Sequence, residues 1–142
     1  MKKNNIKVLN NLIENHPRFN GWSLVETKPE AKTRYDFYLQ KGEKIILVEY
    51  KHRNYNSNAF KDWQVDGNKV TALRGFIQDN IKGVFYLNTF NDDKYALWNL
   101  GKDIGEWRLS AAHYAKTVVE SELTQTYDLF LSLSDASVTN CY

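Results

Sequence analysis

The sequence predicts an α/β fold, a central mixed β-sheet flanked by helices, and three observations carry that expectation. Residues 3–15 place Ile6, Leu9, Leu12 and Ile13 at helical spacing among Asn and Lys. Ile45-Ile46-Leu47-Val48 is apolar at every position, the pattern of a strand buried on both faces in the middle of a sheet. A long amphipathic stretch follows at 57–79, with Phe60, Trp63, Val70, Leu73 and Ile77 on one helical face and Gly67 as a weak point inside it.

The remaining elements follow in order. The first helix should end at His16-Pro17, because proline cannot donate to the helix ladder and biases its predecessor away from helical angles. Residues 22–27 (WSLVET) read as a strand. Residues 35–39 (YDFYL) and 44–51 (KIILVEYK) read as two more, joined by a hairpin turn at 40–43. Residues 83–90 (GVFYLNTF) and 95–100 (YALWNL) are strands around the turn Asn91-Asp92-Asp93. Beyond them, TVV and DLFLSL read as short strands, and residues 134–142 as an irregular end. The order is helix, three strands, helix, strands. With 142 residues, no repeat and no Gly/Pro/Ser linker, the expectation is one domain over 1–142.

Composition narrows the function classes. A 42% hydrophobic and 25% charged chain with two prolines is neither disordered nor collagen-like. The single cysteine, Cys141, cannot close an intrachain disulfide, so a reducing, cytoplasmic setting is expected. No apolar run approaches signal-peptide or membrane-span length, and no membrane partner is expected. The net charge of +2 hides an asymmetry: residues 1–82 carry 15 Lys/Arg against 9 Asp/Glu, or +6, and residues 83–142 carry 4 against 8, or −4. A basic half suits an anionic partner. The three histidines show no His-x-x-x-His pairing, which argues against a zinc site, and neither a nucleophile motif nor a Gly-rich phosphate loop is present. The four tryptophans suit a core or an interface, Trp63 alone lying near enough to the basic tract to stack a base.

The chemistry concentrates on Asp36, Glu49 and Lys51. With an even-numbered turn at 40–43, Leu39 faces Lys44 and Asp36 faces Leu47, so Asp36, Glu49 and Lys51 share a face and Asp36 stands diagonal to Glu49. An odd turn would put Asp36 on the other face. Two carboxylates and the backbone carbonyl of Tyr50 would serve Mg²⁺ (or Mn²⁺), which takes hard oxygen ligands. A lysine one step beyond could orient a water or offset charge on a phosphoryl group.

Asp36, twelve residues, then Glu49-Tyr50-Lys51 resembles the PD-(D/E)XK motif of restriction endonucleases and Holliday-junction resolvases. Residues 3–90 follow that superfamily's core order, and Tyr35 replaces the motif's proline. The resemblance implies a restriction endonuclease-like core and a small metal-dependent endonuclease, with DNA the expected substrate. Asp36 and Glu49 would bind the metal, with Glu14 of the first helix as a further metal-side carboxylate, and Lys51 would assist the attacking water. It also implies a Gln or Lys on the helix after the motif, for which Lys69 is the catalytic candidate and Gln64 the nucleic-acid contact. Lys69 alternatively pairs with Asp66 three residues before it. Arg53 and Tyr55, in the basic tract leaving Lys51, suit contact with a nucleic-acid backbone. Cutting both strands needs two sites, which a homodimer built on the acidic, aromatic C-terminal third would supply. The alternative is a catalytically silent module of the same fold that binds nucleic acid or a protein. Compact size suits a phage or mobile-element protein.

Overall fold

The structure, a computed structural model, describes residues 3–26, 37–78, 80–111 and 125–140. Helix α1 (Lys3–Asn15) ends where expected, and a single 3-10 turn, Pro17–Phe19, redirects the chain into β1 (Ser23–Glu26). Strands β2 (Phe37–Lys41) and β3 (Lys44–His52) form the hairpin; β4 (Asp62–Val65) and α2 (Gly67–Arg74) cross over to β5 (Ile81–Thr89), which runs on into β6 (Lys94–Asn99). Strands β7 (Glu106–Ala111), β8 (Gln125–Ser132) and β9 (Ser137–Asn140) complete the described chain.

The strands make two sheets. Six stand in the order β1-β2-β3-β5-β6-β9, antiparallel throughout except for the central β3–β5 pair, and three stand in the order β4-β8-β7. β3 is central, as its unbroken apolar run requires, because both of its faces meet other layers. On one face, Ile46, Val48, Phe85 and Leu87 pack against Leu9, Leu12 and Phe19 from α1 and the turn after it. On the other, Leu47, Val84, Tyr86 and Trp98 pack against Trp63 and Val65 of β4, Val70 and Leu73 of α2, and Leu129 and Leu131 of β8. The central sheet is mixed, as expected, but its second face is covered by the small sheet as well as by a helix. The two sheets are also tied by a hydrogen bond from the Trp98 indole N–H to the Ser132 carbonyl, at 2.7 Å.

Three expectations are corrected. The stretch 57–79 is not one helix: a strand, β4, precedes the eight-residue α2, and Phe60 and Ile77 lie 57% and 40% exposed. The break falls at Asp66-Gly67, where the Asp66 carboxylate accepts from the Asn68 N–H at 2.9 Å and caps the helix. A Cβ on Gly67 would meet the Tyr127 carbonyl oxygen at 1.8 Å, so the chain can pass β8 there only as glycine. The hairpin pairs Lys41 with Lys44 and Leu39 with Ile46, two residues displaced from the expected register. The loop is only Gly42-Glu43, Gly42 taking φ +61°. Last, the end expected to be irregular contains β9, which pairs with β6. The TVV segment lies outside the described residues.

Candidate active site at the end of β3

Alternation along β3 sorts its last residues between the two faces. Ile45 and Leu47 join the core shared with the small sheet, so Glu49 and Lys51 project on that side, whereas Ile46, Val48 and Tyr50 face the α1 side. Glu49 lies mostly within the protein, its side chain 12% exposed, and its carboxylate forms an ion pair with the Lys69 ammonium on α2. Lys51, two residues on, is exposed. In the parallel register Glu49 stands beside Tyr86 and Lys51 beside Asn88.

Lys69 is therefore brought to Glu49, and this replaces the pairing with Asp66, whose carboxylate caps α2. The crossover accounts for the contact: β4 and α2 return the chain over the face that Glu49 occupies, and the helix begins within reach because Asp66 and Gly67 end β4 there.

The basic tract is placed differently from its sequence reading. The Arg53 guanidinium turns inward: its Nη2 donates to the Tyr86 hydroxyl at 2.9 Å, and its Nε is buried. Burial pushes the Tyr86 phenol upward from its ordinary pKa, while the neighbouring Arg53 charge draws it down. Tyr55 is half-buried, its ring 4.8 Å from that of Phe60 and 6.2 Å from that of Phe90, and is committed to packing. Trp63 is 2% exposed core rather than a stacking platform.

Gln64 lies on β4, not on a helix. Trp63 and Val65 point into the core, so Gln64 points to the outer face of the small sheet, where its amide donates to Asp128 at 2.7 Å. It is not brought to Glu49. Glu14 is exposed on α1, whose packing face lies on the opposite side of the central sheet from Glu49. The Tyr50 hydroxyl and His52 Nδ1 both meet the Thr89 hydroxyl, at 2.7 and 2.8 Å, and His52 Nε2 meets the Asn91 side chain at 3.1 Å, all on the far face from Lys51. Asp36 lies outside the described residues; it directly precedes Phe37, the partner of Val48, as Glu49 directly follows Val48.

Two residues of the site, Tyr86 and Asn88, carried no expectation. Asn88 had a signal, being an amide inside the apolar run GVFYLNTF, and a buried polar group is more informative than an exposed apolar one. Among the described residues no group of three or more His, Cys, Asp or Glu could hold a metal. Glu49 supplies one hard oxygen donor set, and a second carboxylate is needed to complete it.

No family model and no curated protein matches the sequence. A solved structure does. Hjc, a Holliday junction resolvase from the archaeal hyperthermophile Archaeoglobus fulgidus, superposes with a TM-score of 0.50 at 12% identity, over 94% of this chain and 86% of that one. The chain shares that resolvase's fold. The likeness spans nearly the whole chain. Among the described residues no helix is long and apolar enough to cross a membrane.

Proposed function

We propose that the chain is a metal-dependent endonuclease that hydrolyses phosphodiester bonds in DNA, with branched DNA the first substrate to try. One observation carries the reading: Glu49 and Lys51 stand on one face at the end of the central strand β3, with Lys69 delivered to Glu49 from α2, in a resolvase-like fold. Asp36 and Glu49 are the proposed metal carboxylates, with the Tyr50 carbonyl beside them. A divalent cation such as Mg²⁺, when bound, polarises a phosphoryl oxygen and makes a bound water more acidic. Lys51 offsets negative charge gathering on the phosphate, and Lys69 fixes the direction of the Glu49 carboxylate. Glu14, exposed on α1 on the far side of the sheet from Glu49, is left out of the proposed set. A homodimer would supply the second site for a two-strand cut, and Trp107, Leu109 and Tyr127, 38%, 51% and 61% exposed on β7 and β8, are the surface proposed for it.

The ion pair itself favours a second reading. An ammonium already satisfying Glu49 is what a silent, nucleic-acid-binding module would keep in place of a metal. Plasmid, single strands, four-way junctions and RNA, offered with Mg²⁺ or Mn²⁺, separate the two. Cleavage by the wild-type chain that disappears in Glu49→Gln and Lys51→Ala supports the enzyme; binding without cleavage under every condition leaves the module. Cleavage surviving in both variants would remove the site assignment.

A further inference from the structure

Arg53, Trp63 and Asn88 hold four buried side-chain polar atoms that have no hydrogen-bond partner among the described residues: Arg53 Nε, the Trp63 indole nitrogen, and both amide atoms of Asn88. Asn88 is 0% exposed. Leaving such a group unmade costs about 1–3 kcal/mol, so interior polar atoms are almost always paired. All three residues project toward the core between the two sheets, where Glu49 and Lys51 also project. The path of Arg53 shows how two of the orphans can meet. Its backbone N–H bonds the Thr89 carbonyl at 2.8 Å, which places its Cα past the end of the β3–β5 ladder, yet its Nη2 reaches back to the Tyr86 hydroxyl. The side chain thus runs backward along β5, and Asn88 stands between Tyr86 and that starting point. Among the described residues Arg53 Nε is a donor without an acceptor, and the Asn88 amide oxygen is an acceptor without a donor.

We propose that Tyr86 and Asn88 are positioning residues that together seat the Arg53 guanidinium, Tyr86 holding Nη2 and Asn88 closing on Nε, so that Arg53 grips a non-bridging oxygen of the DNA phosphate at the Glu49–Lys51 site. The seat fixes one edge of the guanidinium. The other edge keeps its N–H donors, and Arg53 is only half-buried, which leaves that edge for a ligand. Charge agrees with the ligand class: among the described residues this face carries Lys51, Arg53 and Lys69 against Glu49, an excess suited to a phosphodiester. The proposal rests on the endonuclease reading for the identity of its ligand and deepens it by naming the phosphate contact.

Binding of a fluorescein-labelled four-way junction, measured with Ca²⁺ so that no cleavage is required, tests the grip. Arg53→Lys keeps the charge and loses the fork; it is expected to weaken binding about tenfold. Tyr86→Phe and Asn88→Leu should each weaken it severalfold in the wild-type background and add nothing in the Arg53→Lys background. Full additivity, or wild-type binding by Arg53→Lys, would overturn the grip. The seat is read without DNA from the Arg53 Nε–H resonance, assigned by its loss in Arg53→Lys. It should be protected from exchange in the wild type and exposed in Asn88→Leu; equal protection in both would overturn the seat. A wild-type chain that binds but never cleaves with Mg²⁺ defeats the enzyme reading and leaves this one standing. A wild-type chain that binds no nucleic acid defeats the grip along with that reading, while the resonance still judges the seat.

Discussion

Lys69 and Glu49 come from different elements, and their ion pair is mostly a matter of aim. The Lys69 side chain is 40% exposed, and pairs so placed contribute about 0–1 kcal/mol to stability. Lys69→Ala should therefore leave the melting temperature nearly unchanged. If Glu49 must point at a metal, the same change should lower kcat about a hundredfold, the cost of roughly an ångström of misplacement. Steady-state cleavage beside a thermal melt checks both halves. At this scale the motif Glu49-Tyr50-Lys51 was legible, because an acid and a lysine two apart on a strand must share a face. The fate of Arg53 was not. A run of basic residues after a strand reads as solvent-facing, and nothing in Arg53-Asn54-Tyr55 announces that a phenol 33 residues later will draw the guanidinium inward.

Gly67 and Asp128 join α2 to the small sheet, and the elements they join are sensitive to both. The Asp128 carboxylate accepts from the Gly67 N–H at 2.9 Å and from Gln64, while the Gly67 Cα lies against the Tyr127 carbonyl. Gly67→Ala should cost at least the roughly 1–3 kcal/mol of overpacking, since the obstructing atom is backbone, and a urea midpoint will report it. Asp128→Ala should cost about 1–3 kcal/mol by stranding a buried N–H. A second junction ties the loop after β3 to the β5–β6 turn: Asp92 accepts from the Ser57 hydroxyl at 2.6 Å and from its N–H. Those bonds hold the Asp92 carboxyl below its ordinary range, the hydroxyl contributing most. A lowered carboxyl adds stability that is complete above its unfolded pKa and is lost as pH falls through the folded one. Melting temperature measured from pH 5 downward should fall less steeply in Ser57→Ala. Among the elements, β3, β5 and β6 were readable from apolar runs. The segment 57–79 misled because strand alternation at Trp63 and Val65 adjoins helical spacing at Val70 and Leu73, and the two merge into one false stripe. β7 alternates polar and apolar in EWRLSA, a signal that a search for runs passes over, whereas β9, SVTN, has almost none. The hairpin kept its parity while slipping two residues, and the face of Glu49, set by alternation along β3, does not depend on that register.

Taken whole, the molecule has the mixed sheet expected of it, and the charge asymmetry now has a place in the fold. The cations beside Glu49 all come from residues 1–82, and the acidic remainder supplies the small sheet with its apolar, exposed strip. On the outer face of that sheet, Arg108 bridges Asp62 and Glu106 at 3.0 and 3.1 Å and covers the Phe130 ring. If the strip at Trp107, Leu109 and Tyr127 joins two copies, Leu109→Lys should convert a concentration-dependent dimer to monomer in sedimentation velocity, with the melt little altered. A wild-type chain that sediments as monomer at every concentration would remove the homodimer.

The bond between Asp128 and Gly67 also sets an order in time. Residues leave the ribosome in sequence, and Glu49 and Lys51 emerge long before β8. Yet α2, which delivers Lys69, rests on β8 through Asp128, Leu129 and Leu131. A nascent chain stopped before residue 125 would hold the motif but lack the support that brings its third charged partner into place. On the proposed endonuclease reading, the site is not complete until β8 has been made.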